Sequence, residues 1–158
     1  MEAASFEHYL TTGTLLPYAE AANNMRQLDV EGPGVELSHE DYLLGIYDMT
    51  GELMRFAITT MATTGSLPTI LSPAEAMDME SSQRNVLTDM RALRSELESL
   101  NAGIGPFAKD VSKKMDVMKT SVEKVEKALY GLTVRGAERP KGWMPDMDSG
   151  GRAVEVEG

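Results

Sequence analysis

Apolar residues recur three and four positions apart along four main stretches of this chain, the spacing of one face of an α-helix. The first covers about 2–11, where Ala3, Phe6 and Leu10 fall on one side. No capping residue precedes it, so the chain is expected to begin inside a helix whose earlier part is missing. A short helix over 17–28 follows, opened by Pro17 at a first-turn position. Gly32-Pro33-Gly34 then breaks the chain into a loop over 29–37.

Ser38 is the expected N-cap of the second long stretch, with Asp41 three residues on as a capping-box variant and Gly65 as its stop near Thr64. The third is expected to open at Ser72-Pro73-Ala74-Glu75, which offers a cap, a first-turn proline and a capping-box Glu, and to run to Asn101 before Gly103. The fourth is expected over 107–135, closed by Gly136. In this last stretch Val111, Met115, Met118, Val122, Val125, Leu129 and Leu132 alternate steps of four and three. Val86, Met90, Leu93, Leu97 and Leu100 do the same in the third. Such seams belong to a coiled coil or to an antiparallel bundle of long helices. An intramolecular core is the first reading, and a contact with a second chain is compatible with it.

The fold class is therefore all-α, in one helical domain over 1–136 followed by an acidic, disordered tail over 137–158 with Pro140, Pro145 and Gly150-Gly151. Composition adds limits to this picture. The 158 residues contain no Cys, which excludes disulfides and thiolate metal sites. The two histidines, His8 and His39, form no metal-binding motif. No apolar run is long enough to span a bilayer, and the first residues carry no basic-then-apolar signal, so cytoplasm or nucleus is the expected location. A net charge of −10 argues against a chain that grips nucleic acid by itself. Lys109, Lys113, Lys114, Lys119, Lys124 and Lys127 cluster only modestly, between Asp110, Asp116, Glu123 and Glu126.

The segment with candidate chemistry is DYLLGIYDMTGELMR, residues 41–55. Helical periodicity puts Asp48, Glu52 and Arg55 on one narrow face, one turn apart. Gly45 and Gly51 flank the two carboxylates. A glycine inside a helix costs on the order of 1 kcal/mol against alanine, and close approach of another helix, a metal or a phosphate would account for two of them here. Spacing alone reads first as a solvated face in which Arg55 pairs with Glu52. Paired carboxylates can also hold Mg²⁺, but two are a minimal set that needs water, substrate or further ligands.

The same 41–55 segment resembles the hallmark helix of the translin-associated factor X branch of the translin family. VSKKMDVMKTSVEKVEKALYGLTVRGAERPK, residues 111–141, is similar to that family's final helix and its Val-Arg-Gly ending, here Val134-Arg135-Gly136. MEAASFEHYL, residues 1–10, resembles the helix that precedes both, while the likeness is weak over 62–104, where a longer insertion is expected.

The resemblance implies an all-helical, translin-like subunit that assembles with translin into a hetero-octamer. It implies a Mg²⁺-dependent endoribonuclease for single-stranded RNA, serving RNA interference and transfer-RNA fragment processing. By motif, the family's acidic residues fall on Glu2, Asp48 and Glu52, which would hold Mg²⁺ and orient water against a phosphodiester. A further family glutamate would lie one turn before Glu2, ahead of residue 1. The chain is accordingly expected to be an N-terminally truncated member. The alternative is a non-enzymatic helical partner of translin, inactive because truncated.

Overall fold

The computed structural model describes residues 1–28, 32, 34–70 and 84–135. Five helices account for most of them: α1 Glu2–Thr12, α2 Tyr18–Gln27, α3 His39–Thr64, α4 Val86–Ser99 and α5 Pro106–Arg135. The expected all-α class is what forms.

Local signals fix most of the ends. The Ser38 side chain accepts a hydrogen bond from the Asp41 amide at 3.0 Å, and its hydroxyl donates to the Asp41 carboxylate at 2.7 Å. The first turn of α3 is thus held from both sides. Gly65 ends α3 in the left-handed region at φ 76°, returning its amide to the Met61 carbonyl.

One expected boundary is wrong. A single helix from Ser72 to Asn101 does not form, because Arg84 and Asn85 are not helical and α4 starts at Val86. Asn85 is extended and accepts from the Thr88 amide, while the Thr88 hydroxyl takes the Asn85 amide, both at 3.0 Å. A reciprocal cap of this kind starts a helix rather than continuing one. The other end comes at Ser99, with Leu100 extended and half exposed. The Ser72-Pro73-Ala74-Glu75 signal, Gly136 and the tail over 137–158 lie outside the described residues.

The long helices α3 and α5 form the centre. Ile46 and Tyr47 of α3 pack with Val111, Met115 and Met118 of α5, whereas Met49 through Met61 pack with Val122 and Val125. Residue numbers rise together, so the two helices run in the same direction. The connection between them contains α4, which carries the chain back and lies antiparallel to both. Leu97 joins Ile46 and Met115 at one end, and Val86 and Met90 join Met61 and Val122 at the other. Exposed ion pairs follow the same register, Arg91 with Glu126 at 2.7 Å and Lys119 with Glu98 at 3.5 Å.

The heptad seam of α5 is therefore spent inside the chain. Val111, Met115, Met118, Val122 and Val125 are buried, and Leu129 and Leu132 are partly so. Burying each such side chain contributes about 1.5–3 kcal/mol. Of the corresponding seam in α4, Val86, Met90 and Leu97 are buried in the same core.

Helix α1 lies along α3 in the same direction. Met1 meets Gly45, and Phe6 packs edge-to-face on Phe56 with ring centroids 6.1 Å apart. A smaller cluster of Leu16, Ala21, Ala22 and Leu37 anchors α2 at the start of α3. Two tyrosines tie the loops there: Tyr18 donates to the Leu37 carbonyl at 2.7 Å, and Tyr42 to the Leu16 carbonyl at 2.6 Å.

Candidate functional site

Helix α3 presents two faces. Met49, Leu53 and Ala57 are almost fully buried on one. Asp48, Glu52 and Arg55 lie along the other, one turn apart as the periodicity requires. Glu52 pairs with Arg55, whose Nε donates to it at 3.1 Å. That local partner was legible in the sequence. Asp48 is engaged from elsewhere, by the ammonium of Lys114 on α5. About a third of the Lys114 side chain and two fifths of Asp48 remain exposed, so the pair sits at the edge of the α3–α5 seam rather than in the core.

The flanking glycines differ from each other. A Cβ on Gly45 would fall 2.4 Å from the Met1 Cβ, so its missing side chain is what lets the start of α1 rest on α3. Among the described residues, a Cβ on Gly51 would meet no heavy atom within 4 Å. Close approach by a helix, one of the causes the sequence offered, explains Gly45; among the described residues nothing explains Gly51.

Glu2 stands in the first turn of α1, next to the residue that touches Gly45, and is exposed. The start of α1 is thus brought to the Asp48 end of the stripe. Among the described residues, however, no three His, Asp or Glu side chains gather into a group that could hold a metal ion. The arrangement is two carboxylates matched by two cations, with Glu2 nearby but outside any three-acid group. As it stands this is not a cation cage: a divalent ion would have to exchange against Lys114 or Arg55 and recruit further oxygen ligands.

The histidines hold structural positions. His8 bonds the Thr14 hydroxyl at 3.1 Å and faces Glu20 at 3.6 Å, while His39 stacks on Tyr18 with centroids 4.2 Å apart.

A second polar group escaped the sequence altogether. Tyr9 donates to Asp89 at 2.7 Å, and Arg84 Nε donates to the same carboxylate at 2.9 Å while its other end reaches the Gly13 carbonyl. Burial, reinforced by the bond to Asp89, pushes the Tyr9 hydroxyl far above its ordinary range. These residues line a cleft of about 290 Å³ together with Met49, Leu53 and Leu93. Neither the Tyr9–Asp89 bond of this network nor the Asp48–Lys114 pair has a local signature, since the partners are 80 and 66 residues apart.

The translin family's sequence pattern matches residues 1–136, which takes in all five helices and the carboxylate stripe. The chain belongs to the translin family. Among its relatives, the mouse translin-associated protein X is 32% identical over an alignment that covers 94% of this chain and 52% of that protein. The rat protein of the same name is 30% identical with the same coverage. The translin-associated protein X homolog of Schizosaccharomyces pombe is 29% identical, over 88% of this chain and 50% of its own length. The chain thus spans about half the length of the curated relatives it matches. The similarity to translin-associated protein X that residues 41–55 and 111–141 carried extends over most of the chain, and the names of those relatives record an association with translin. In this translin-family fold the described parts of the two segments, up to Arg135, come together in the packed pair α3 and α5. No described helix is long and apolar enough to cross a membrane.

Proposed function

We propose that this chain is a translin-binding subunit of a Mg²⁺-dependent endoribonuclease acting on single-stranded RNA, in which Asp48 and Glu52 are the catalytic acids and Glu2 the third. The observation that carries the reading is the pair Asp48 and Glu52, one turn apart on the outward face of α3, in a translin-family chain similar to translin-associated protein X. The start of α1 beside Gly45, which brings Glu2 to the same end of that face, supports it. The net charge of −10 supports a division of labour: translin would supply the positive surface that holds RNA, and this chain the carboxylates. The assembly would be the hetero-octamer of the family, acting in the cytoplasm and nucleus on RNA-interference and transfer-RNA fragments.

The second reading, a non-enzymatic partner of translin, is favoured by the two cations that already neutralise both carboxylates. Co-expression with translin separates the two. The purified complex is incubated with labelled single-stranded RNA in Mg²⁺ and then in EDTA. Metal-dependent cleavage that falls at least about a hundredfold in Asp48→Ala and in Glu52→Ala is the expected result, since removing a catalytic group commonly costs two to three decades or more. A stable complex that leaves the RNA intact assigns the structural role. Cleavage that both variants retain removes Asp48 and Glu52 from the catalytic site.

A further inference from the structure

Helix α5 carries a second seam besides the buried one. Positions 113, 117, 120, 124, 127, 131 and 134 also alternate steps of four and three, on the side of the helix opposite Val111, Met115, Met118, Val122 and Val125. Among the described residues, large apolar side chains stand exposed along it: Val117 by 61%, Tyr130 by 70% and Val134 by 55%. Between the last two lies Gly131, where a Cβ would meet no heavy atom of the described residues within 4 Å. Glycine weakens a helix interior, and here its missing side chain makes room for nothing in the described part of the chain. It leaves a notch in an apolar patch.

The charges of this face indicate what fits it. Lys114, Lys119 and Glu126 are engaged within the chain, by Asp48, Glu98 and Arg91. Asp116, Glu123, Lys124 and Lys127 are exposed and make no ion pair among the described residues. Their order is two acids followed by two bases. Laid on itself parallel and in register, such a face sets like charge against like. Laid antiparallel, it sets acids against bases. With a two-fold axis level with residues 123 and 124, Glu123 comes level with Lys124 of the second copy, and Asp116 comes within one turn of Lys127. The same register brings Val117 level with Tyr130 and beside the notch at Gly131. Apolar and charged positions therefore select the same arrangement.

We propose that the outer face of α5 is a self-docking surface, on which a second copy of this chain lays its own α5 antiparallel about a two-fold axis. The contact is isologous, so each complementary pair occurs twice. One pair of helices falls below the roughly 1,200 Å² at which standard interfaces begin, which makes this a weak dimer formed at micromolar concentrations and above. Nothing in it draws on Asp48, Glu52 or Glu2, and it stands or falls separately from the nuclease reading.

The experiment uses the whole chain alone. The sequence contains no Cys, so single Val117→Cys and Tyr130→Cys variants each carry one thiol, at an exposed position that circular dichroism should show to be tolerated. Under a mild oxidant, a mixture of the two is expected to form the 117–130 disulfide at least about tenfold faster than either variant links to itself. In the proposed register, identical positions lie about 20 Å apart along the helices, beyond the roughly 7 Å that a disulfide spans between Cα atoms. Sedimentation velocity adds the charge test. Lys124→Glu/Lys127→Glu is expected to weaken self-association at least about tenfold, through like charges brought face to face. Mixing it with Asp116→Lys/Glu123→Lys is expected to restore a dimer. A chain that stays monomeric at every concentration overturns the proposal. So does faster linking of identical positions, or a dimer that the folded charge variant leaves unchanged.

Discussion

Gly45→Ala and Gly51→Ala add the same methyl group to the same helix in different surroundings. In a helix interior, glycine is about 0.5–1 kcal/mol less favourable than alanine, because it surrenders more backbone freedom on folding. At position 51 the new Cβ meets no heavy atom of the described residues within 4 Å, so the gain is kept. Gly51→Ala should stabilise the chain by about 0.5–1 kcal/mol, roughly 1–4 °C in Tm for a domain of this size. At position 45 the new Cβ would lie 2.4 Å from the Met1 Cβ and 3.2 Å from its Cγ. The nearest atom is next to the backbone rather than at the flexible end of the side chain. Relief therefore requires the start of α1 to lift away from α3, at a cost typical of overpacking, about 1–3 kcal/mol. The helix-propensity gain is common to both variants and cancels when they are compared. Their difference isolates the contact between α1 and α3. Urea unfolding followed by far-ultraviolet circular dichroism measures it, provided the slopes agree so that midpoints report stability. Gly45→Ala is expected to be less stable than Gly51→Ala by about 1–3 kcal/mol. Equal midpoints, or a higher one for Gly45→Ala, would refute the claim that Gly45 exists to admit α1.

Three further predictions probe the rest of the structure. Met118, fully buried between α3 and α5, should cost about 2–5 kcal/mol when replaced by Ala; a loss below about 1 kcal/mol in urea unfolding would mean the seam is not packed as described. Asn85→Ala removes the capping box that starts α4 and should lower stability by about 0.5–2 kcal/mol, with Asn85→Ser restoring most of it. The Tyr9 hydroxyl titrates well above its ordinary 10.0 in the fold, through burial first and then its bond to Asp89. The unfolded chain ionises this group while the fold keeps it protonated, so its contribution is complete below about pH 10 and is lost as pH rises beyond that. Unfolding midpoints should fall above pH 10, and Tyr9→Phe should make that fall shallower; an unchanged alkaline slope would show that Tyr9 is not held protonated.

Much of the helix pattern could be read from neighbouring residues. Ser38 bounds α3 through its hydroxyl and Gly65 through its lack of a side chain, which admits a positive φ, and the spacing of Val111, Met115, Met118, Val122 and Val125 marks the buried face of α5. The Glu52–Arg55 pair is likewise a matter of one helical turn. The start of α4 was misplaced because Ser72-Pro73-Ala74-Glu75 is a strong local signal, whereas the Asn85–Thr88 cap lies within what looked like one continuous helix. Of the candidate site, the stripe itself was legible. The partner of Asp48 was not, since Lys114 resembles the other lysines of α5 until α5 is laid against α3.

The sequence by itself determined where this chain coils and which side of each long helix is apolar, because hydrogen bonding, capping and periodicity act within a few residues of each position. Only the tertiary structure decided that α3 and α5 run side by side in the same direction, that Gly45 is covered by α1 while Gly51 stays open, and that Asp48 faces a lysine. Those outcomes depend on which apolar faces bury each other across long separations, and the packing of whole helices selects among pairings that local spacing leaves equivalent.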